Sequence, residues 1–307
     1  MIYGVIGFVL LLMIVVNLCI RKTNAYQNFY RAIHVVKDVP SEARYDIVAF
    51  GSTFAYYAFD LKTYNGHNFS ISPQSFTYMG KTIRHFSKNI RKGGIAVIAL
   101  AGCIFAANSV IQDERSLTYQ AFLTPDEFER FDWKRRAAYY LMRYVPLINV
   151  KMIKYLFADV QEMYSVRTSV SRDNAIEQAR RRIQGWQRDT AVENVFNVER
   201  TPELDKCLSE SADKLAEIIA ELLAKGITPV LTVLPMSECF NEICPESFYD
   251  EILYSSIGRL KDKYIRVYDY LKDHELTDMK LFWCADCLNV EGRKRFTERL
   301  IEDLEQD

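Results

Sequence analysis

The first hydrophobic pattern in the chain is an uninterrupted apolar run, Ile2–Ile20, that contains no charged residue. As an α-helix at ~1.5 Å per residue, the run is about 28 Å long, which matches the hydrocarbon core of a bilayer. A cleavable signal peptide has basic residues before its apolar stretch, whereas here Arg21 and Lys22 follow it. We therefore predict an uncleaved transmembrane anchor over residues 1–22 and a juxtamembrane segment over residues 23–44.

From Tyr45 onwards, short apolar runs alternate with segments of helical periodicity. The runs have the length of buried parallel strands, and Lys92, Gly93 and Gly94 are interpreted as the stop of the first helix. Strands separated by helices indicate a parallel sheet with helices on both faces, so we predict one α/β domain over residues 45–307. The predicted strands are 46–50, 67–70, 95–100, 228–234 and 265–268, and the predicted helices are 75–90, 212–225 and 291–305.

Residues 112–200 lack the strand pattern and are predicted to form a helical insertion in this domain. Within the insertion, the segment 133–158 contains basic and aromatic residues but no acidic residue. Such a mixture suits a membrane surface or an anionic polymer. The alternative is a solvated basic helix face over an ordinary apolar stripe, and the sequence leaves both interpretations open.

Net charge narrows the range of partners. The chain has 39 Lys and Arg residues against 40 Asp and Glu residues, which gives a formal net charge of -1. A nucleic-acid-binding domain commonly has a broad basic field, and none is indicated here. We therefore expect no nucleic-acid partner, and other partners have to be inferred from local features.

The seven cysteines are too dispersed for a disulfide scaffold. Two pairs, Cys239 with Cys244 and Cys284 with Cys287, have spacings that allow a local disulfide in each pair or one zinc site shared by all four. Such spacings also arise without function, so unpaired thiols are the favoured interpretation. We predict no metal and no cofactor.

Two blocks of the sequence resemble the SGNH/GDSL hydrolases. The first block is Asp46–Thr53, DIVAFGST, followed by Tyr57–Asp60 and by Asn68–Ser75, NFSISPQS; the second is Phe282–Asn289, FWCADCLN. They are most similar to the membrane-anchored, cell-surface branch of the family that accompanies bacterial envelope polysaccharide genes. The resemblance covers about two thirds of the chain, outside the insertion, and implies a flavodoxin-like parallel sheet.

The resemblance places the family's serine nucleophile at Thr53, its aspartate at Cys284 and its histidine at Cys287. A threonine hydroxyl can attack a carbonyl, although its methyl group crowds the approach. A cysteine cannot replace an imidazole as general base near neutral pH, because a free thiol has a pKa of ~8.5 and has no second nitrogen to hold it in register. All three triad positions differ, so we expect the proton relay to be lost.

Few other residues could supply a nucleophile or a general base. Ser52 is a second hydroxyl in the same turn, but its side chain is expected to point away from the pocket. The sequence contains only four histidines, which are expected in structural or surface positions: His34, His67, His85 and His274. We therefore predict no displaced general base.

The oxyanion donors implied by the resemblance are also reduced. Ser72-Pro73 occupies the block where the family has a glycine N–H donor, and Pro73 has no N–H. After the third strand, Ala101-Gly102-Cys103 stands in place of the family's Gly-x-Asn-Asp, and Asn108 is the nearest amide side chain. The residues predicted to contact a ligand are Gly51, Ser52, Ser72, Asp286 and Asn289, although Asn289 can equally cap the last helix.

The sequence leads to three functional hypotheses. The first is a non-catalytic domain in cell-envelope polysaccharide assembly or acylation, which binds a surface glycan or a membrane-bound polysaccharide-modifying enzyme. The second is an active esterase or O-acyltransferase that uses Thr53. The third is a metal or redox site at Cys284 and Cys287.

The side of the membrane is predicted differently by two arguments. The positive-inside rule, applied to Arg21, Lys22 and Arg31, places the folded domain in the cytoplasm. The family resemblance implies the outside. We predict a single-pass membrane protein with an extracellular domain.

Overall fold

A computed structural model of the chain describes residues 2–24, 26, 36, 39–107, 118–129, 132–145, 168–260 and 265–306. The chain divides into two compact units. One unit comprises residues 1–39 and 114–163, and the other comprises residues 40–113 and 164–307. The predicted insertion, 112–200, is therefore divided between the two units.

Helices and strands alternate through most of the described chain. The helices are α1 (Ile2–Arg21), α2 (Thr53–Tyr56), α3 (Phe76–Phe86), α4 (Trp133–Tyr144), α5 (Arg172–Asp189), α6 (Pro202–Ala224), α7 (Glu238–Ile243), α8 (Glu246–Phe248), α9 (Ser255–Gly258) and α10 (Val290–Gln306), with a π-helical turn at Tyr249–Tyr254. The strands are β1 (Tyr45–Phe50), β2 (Gly66–Asn68), β3 (Ile90–Leu100), β4 (Thr228–Val233), β5 (Arg266–Asp269), β6 (Phe282–Cys284) and β7 (Cys287–Leu288). Short 3₁₀ turns occur at Lys62–Tyr64, Ser87–Asn89, Ile104–Ala106, Tyr119–Ala121, Pro125–Glu127 and Met279–Leu281.

The N-terminal helix α1 has the composition of a membrane span. Its segment Tyr3–Arg21 has a mean hydropathy of 2.6 and leaves most of its apolar side chains exposed. By length and composition the helix is able to cross a membrane, and a signal sequence has the same properties. The predicted apolar helix is thus confirmed.

The larger unit is built on a five-stranded sheet with the order β2-β1-β3-β4-β5, in which every strand pair is parallel. This is the flavodoxin-like strand order. Its central strands are apolar because both faces are covered, as shown by Val48, Ala49 and Phe50 of β1, which are fully buried. The predicted α/β class, with a flavodoxin-like parallel sheet, is confirmed.

Chain direction determines which face each helix covers. The chain moves from β1 to β2 in one direction across the sheet and then moves in the opposite direction to β3, β4 and β5. Because crossovers between parallel strands are right-handed, the β1–β2 connection lies on one face of the sheet and the later connections lie on the other. On one face, Gly80 of α3 lies against Ile218 of α6. On the other face, Phe59 from the β1–β2 connection packs on Phe296 of α10, with ring centroids 5.4 Å apart.

The predicted stop of the first helix at Lys92-Gly93-Gly94 is wrong. These residues belong to β3, which begins at Ile90, where it pairs with Tyr45 of β1. Lys92 and Gly93 are exposed near the start of this long strand, whereas Gly94 is buried, and the Gly93 N–H donates to the carbonyl of Gly226 at 2.8 Å. Helix α3 ends earlier, at Phe86.

Helix α6 begins ten residues before its predicted start at Ala212, at Pro202. The side chain of Thr201 caps it by accepting from the Leu204 N–H at 3.2 Å, and Pro202 in the first turn needs no donor. Gly226 ends it with a φ of 69°, as predicted, because a left-handed residue terminates the helix without a Cβ clash. The hairpin β6–β7 was not predicted, since its strands are too short for a detectable period.

Candidate ligand-binding cleft at the carboxyl edge of the sheet

The turn after β1 carries Thr53, the residue that the resemblance aligns with the nucleophilic serine of SGNH hydrolases. β1 ends at Phe50, and α2 begins at Thr53 after only Gly51 and Ser52. A Cβ on Gly51 would lie 2.4 Å from the Cβ of Ala55, so only glycine lets the strand pass this closely under α2. Thr53 therefore stands at the carboxyl end of a central strand, where open α/β sheets bind ligands.

A cleft of about 300 Å³ opens beside Thr53. Four segments of the larger unit line it: the β1–α2 turn with Ser52 and Thr53, the loop before α3 with Gln74, the segment after β3 with Cys103, and helix α5 with Arg182 and Trp186. The helix comes from the part of the sequence that the family resemblance does not cover. The cleft thus combines a family position with residues particular to this chain.

Two serine residues and Thr53 form a hydroxyl cluster at the cleft. The Thr53 Oγ1 and Ser72 Oγ atoms are hydrogen-bonded at 2.8 Å. Ser52 also lines the cleft, and its Oγ accepts from the Gln74 N–H at 3.0 Å. The cluster ties the nucleophile turn to the following loop, and the bonded partner of Thr53 is a hydroxyl, which is not a general base near neutral pH.

Trp186 reaches the cleft because Gly102 leaves room for it. Gly102 has a φ of 51°, and a Cβ there would lie 2.5 Å from the indole ring. On its other side, the indole stacks on Phe248 with centroids 5.3 Å apart and packs against Phe240 at 5.4 Å. Trp186 is therefore held rigidly between the β3 end and the aromatic core.

Arg182 connects the cleft to the second family block. Its Nε and Nη2 groups donate to the two carboxylate oxygens of Asp286, and its Cζ lies 5.6 Å from the ring centre of Phe54. Burial lowers the pKa of the Arg182 guanidinium, but the Asp286 carboxylate raises it by more, so the net direction is upward. Arg182 remains cationic, and it lies between the cleft and Asp286.

The other two triad positions lie in the hairpin β6–β7. Cys284 and Cys287 face each other across the strands, and their Sγ atoms lie 3.1 and 3.6 Å from the same Asp286 oxygen. A hydrogen bond with the Cys284 thiol, burial and the Asp286 charge all raise the pKa of the Cys287 thiol well above its ordinary value. The Cys287 thiol is therefore protonated at neutral pH and is no base. Neither cysteine is among the described residues that line the cleft.

The three side chains of this hairpin could act as metal ligands by distance alone. Potential ligand atoms of Cys284, Asp286 and Cys287 lie within 4.8 Å of one another. The Arg182 guanidinium already occupies the Asp286 carboxylate, and its positive charge opposes a cation there. In the described part of the chain, Cys239 and Cys244 do not belong to this group, so the predicted alternative of a four-cysteine zinc site is not brought together.

Asn289 has a structural role that accounts for its presence. Its Oδ1 accepts from the Gly292 N–H at 2.9 Å, which caps the start of α10. Its Nδ2 donates to the Lys280 carbonyl at 2.7 Å. Both ends of the amide are engaged in holding the helix to the preceding loop.

None of the three described histidines lines the cleft. His67 lies in β2, where its ring packs between Tyr45 and Phe69 at centroid distances of 5.3 and 4.4 Å. His85 lies near the end of α3, and His274 lies in the loop after β5. The remaining candidates, His34 and Asn108, fall outside the described residues.

Sequence reasoning missed Arg182 and Trp186, two of the α5 residues that line the cleft. One signal was present: Ala175, Ala179, Ile183 and Trp186 recur at helical spacing and are all buried. This stripe indicates that α5 packs against an apolar surface and that Arg182 borders it. It does not indicate that this surface lies beside the family site.

Comparison with known proteins gives structural likeness only. No protein family profile and no curated protein sequence matches the chain. Among solved structures, the chain is similar to a GDSL-like lipase from Bacteroides thetaiotaomicron, with 11% identity, a TM-score of 0.38 and coverage of 92% of this chain and 96% of the other. It is also similar to a candidate acylhydrolase from Bacteroides fragilis, with 10% identity, a TM-score of 0.40 and coverage of 92% and 97%. At these scores the fold class rests on the strand order described above.

Proposed function

We propose that this chain is a membrane-anchored SGNH-like domain that binds a ligand in the cleft beside Thr53 without catalysing its hydrolysis. The observation that carries the proposal is the environment of Thr53: its hydroxyl bonds to Ser72, and the triad position 287 holds a buried, protonated thiol. A nucleophile without a base keeps at most the assistance that positioning and oxyanion donors provide, ~10³–10⁴ over water.

The cleft suits a sugar-containing ligand. A sugar ring presents apolar C–H surfaces together with hydroxyl groups, and the cleft is lined by the Phe54 ring and by the small exposed part of Trp186, together with the Thr53 hydroxyl and Gln74. A few polar groups in an aromatic-walled cleft are the usual composition of a small-ligand site. The family resemblance favours a glycan of the cell envelope, in polysaccharide assembly or acylation.

Location follows from helix α1 and from the resemblance. We propose that α1 is retained as a single membrane anchor and that the α/β domain lies outside the cytoplasm. A domain anchored there would meet a surface glycan, or the membrane-bound enzyme that modifies one, at a raised local concentration.

Binding of surface oligosaccharides to the full chain in lipid nanodiscs tests the proposal. We expect saturable changes in tryptophan emission for an acetylated or unacetylated oligosaccharide, with unchanged ligand recovered afterwards. Thr53→Val removes a hydroxyl at nearly constant volume and should weaken binding about tenfold, as expected for one lost hydrogen bond. Thr63→Val, in the exposed turn Lys62–Tyr64, is the matched control and should bind as the wild type does.

Three outcomes would contradict this form of the proposal. Equal binding by Thr53→Val and the wild type would show that the cleft is not the binding site. Absence of saturable binding by every oligosaccharide would favour the alternative partner, a polysaccharide-modifying enzyme. Hydrolysis of the acetylated ligand would favour the alternative of an active esterase or O-acyltransferase that uses Thr53.

A further inference from the structure

Helix α4 exposes apolar side chains along one face. Trp133, Ala137, Tyr140 and Leu141 occupy positions i, i+4, i+7 and i+8 of the helix, which bring them onto a single stripe. Trp133 is 74% exposed, Tyr140 49% and Leu141 45%. A helix in water normally turns such a stripe inward, so the exposed face of α4 requires an apolar neighbour.

Basic side chains border this stripe on both sides. At about 100° per residue, Lys134 lies about 100° round from Trp133, and Arg136 lies about 60° round in the other direction. The Lys134 ammonium lies 5.7 Å from the centre of the Trp133 ring. Arg136 forms an ion pair with Asp126, an exposed residue of the same unit, so its charge is partly balanced.

The neighbour can be identified from the other helix of the same unit. Residues 1–39 and 114–163 form one compact unit, so α4 belongs with α1, which has the length and composition of a membrane span. Trp and Tyr are the aromatic residues that prefer the boundary between headgroups and acyl chains. Basic residues beside an apolar stripe are attracted to anionic headgroups, and this combination is typical of helices that lie in the membrane surface.

We propose that α4 lies in the surface of the membrane that α1 crosses, with its apolar stripe at the level of the upper acyl chains. Lys134 and Arg136 then contact the phosphates of anionic lipids, and the lipid surface is the occupant of the exposed face. The inference rests on the proposed function only in taking α1 as a retained anchor. The smaller unit then contacts the bilayer through two helices: α1 crosses it, and α4 lies along its surface.

Fluorescence of Trp133 in vesicles tests this inference directly. The full chain is reconstituted into phosphatidylcholine vesicles containing phosphatidylglycerol, with and without lipid brominated near the top of the acyl chains. The signal of Trp133 is the difference between the wild type and Trp133→Phe, because Trp186 and Trp283 contribute equally to both. We expect bromolipid to reduce this difference signal about twofold or more, with a blue-shifted maximum.

The charged border is tested with a paired substitution. Lys134→Gln with Arg136→Gln should reduce quenching of Trp133 and make it independent of the anionic lipid fraction. Lys214→Gln, an exposed lysine of α6, is the control and should leave quenching unchanged. Tyr140→Trp in the Trp133→Phe background places a second probe on the stripe and should be quenched as Trp133 is.

The outcomes separate this inference from the anchor. A chain that floats with the vesicles while both probes remain unquenched, with emission maxima typical of water, would overturn the inference and leave the anchor intact. Failure of the full chain to float with vesicles would contradict the anchor itself. Equal quenching in neutral and anionic vesicles would overturn the role given to Lys134 and Arg136.

Discussion

Arg182 and Asp286 are joined by two hydrogen bonds, from Nε and Nη2 of the guanidinium to the two carboxylate oxygens, across 104 residues of sequence. The contact links the cleft-lining helix α5 to the hairpin that carries Cys284 and Cys287. The resemblance to SGNH hydrolases aligns Cys284 and Cys287 of this hairpin with the aspartate and the histidine of the triad. Here the buried carboxylate of the hairpin holds a guanidinium at the back of the cleft.

Removing the guanidinium should destabilise the domain. Loss of one partner of a buried ion pair costs ~3–5 kcal/mol, but the Arg182 side chain is 41% exposed and water partly compensates, so we expect about 1–3 kcal/mol for Arg182→Gln. The measurement is urea unfolding followed by tryptophan emission. Arg181→Gln, which removes a 72% exposed guanidinium paired with Glu177, should change the free energy of unfolding by less than about 0.5 kcal/mol. Equal effects of the two substitutions would contradict this account of the contact.

Gly102, which contacts Trp186, and Gly185, which precedes Trp186 in α5, should respond in opposite directions when replaced by alanine. Gly102→Ala introduces a Cβ at a φ of 51° and within 2.5 Å of the Trp186 ring, so we expect a loss of at least about 2 kcal/mol and altered Trp186 emission. Gly185→Ala places its Cβ in open space within helix α5 and should stabilise the domain by about 0.5–1 kcal/mol. Thermal unfolding of both variants measures the difference, and a tolerated Gly102→Ala would show that Trp186 is not held at this position.

Buried thiols should make the domain less stable at alkaline pH. Burial raises the pKa of Cys244 to about 12, and the Cys284 hydrogen bond raises that of Cys287. The unfolded chain releases these protons first, near pH ~8.5, so the stabilisation is complete below that pH and is lost as pH rises above it, by ~1.4 kcal/mol per pH unit for each thiol. Cys287→Ala should therefore reduce the slope of unfolding free energy between pH 9 and 10 by about this amount and leave the slope below pH 8 unchanged. An unchanged slope above pH 9 would contradict the raised pKa.

Much of the sheet could be predicted because its strands are short apolar runs. The residues 47–50 and 229–233 are buried, because both faces of the sheet are covered there, so hydrophobicity alone locates them. The start of β3 could not be found in this way, since Lys92 and Gly93 are exposed. Gly94 is buried, but glycine has no apolar side chain by which a hydrophobic pattern could show its burial.

The cleft could be predicted only in part, for a related reason. Motif resemblance located Thr53 and the cysteine hairpin, because both lie in conventional blocks of the family. The opposite wall of the cleft comes from Arg182 and Trp186, whose position depends on how α5 packs against the β3 end. That packing is a tertiary contact, and no local pattern in the sequence specifies its partner.

Sidedness of the membrane can be decided in cells. We predict that protease added to intact cells degrades the α/β domain, because the resemblance places it outside, although Arg21 and Lys22 favour the opposite orientation. A cytoplasmic protein in the same cells controls for lysis. Full protection of the domain, with digestion only after lysis, would show that the positive-inside rule gives the orientation.

Ester turnover by the purified full chain tests the central claim most directly, namely that the cleft beside Thr53 binds a ligand without hydrolysing it. With a simple acetyl ester and with an acetylated oligosaccharide, we expect rates no more than ~10³–10⁴ above the uncatalysed reaction, because within the described residues the Thr53 hydroxyl bonds to Ser72, which is not a general base. Thr53→Ala should leave these rates unchanged within about twofold. Readily measurable turnover that Thr53→Ala abolishes would contradict the account and identify the chain as an active hydrolase or acyltransferase.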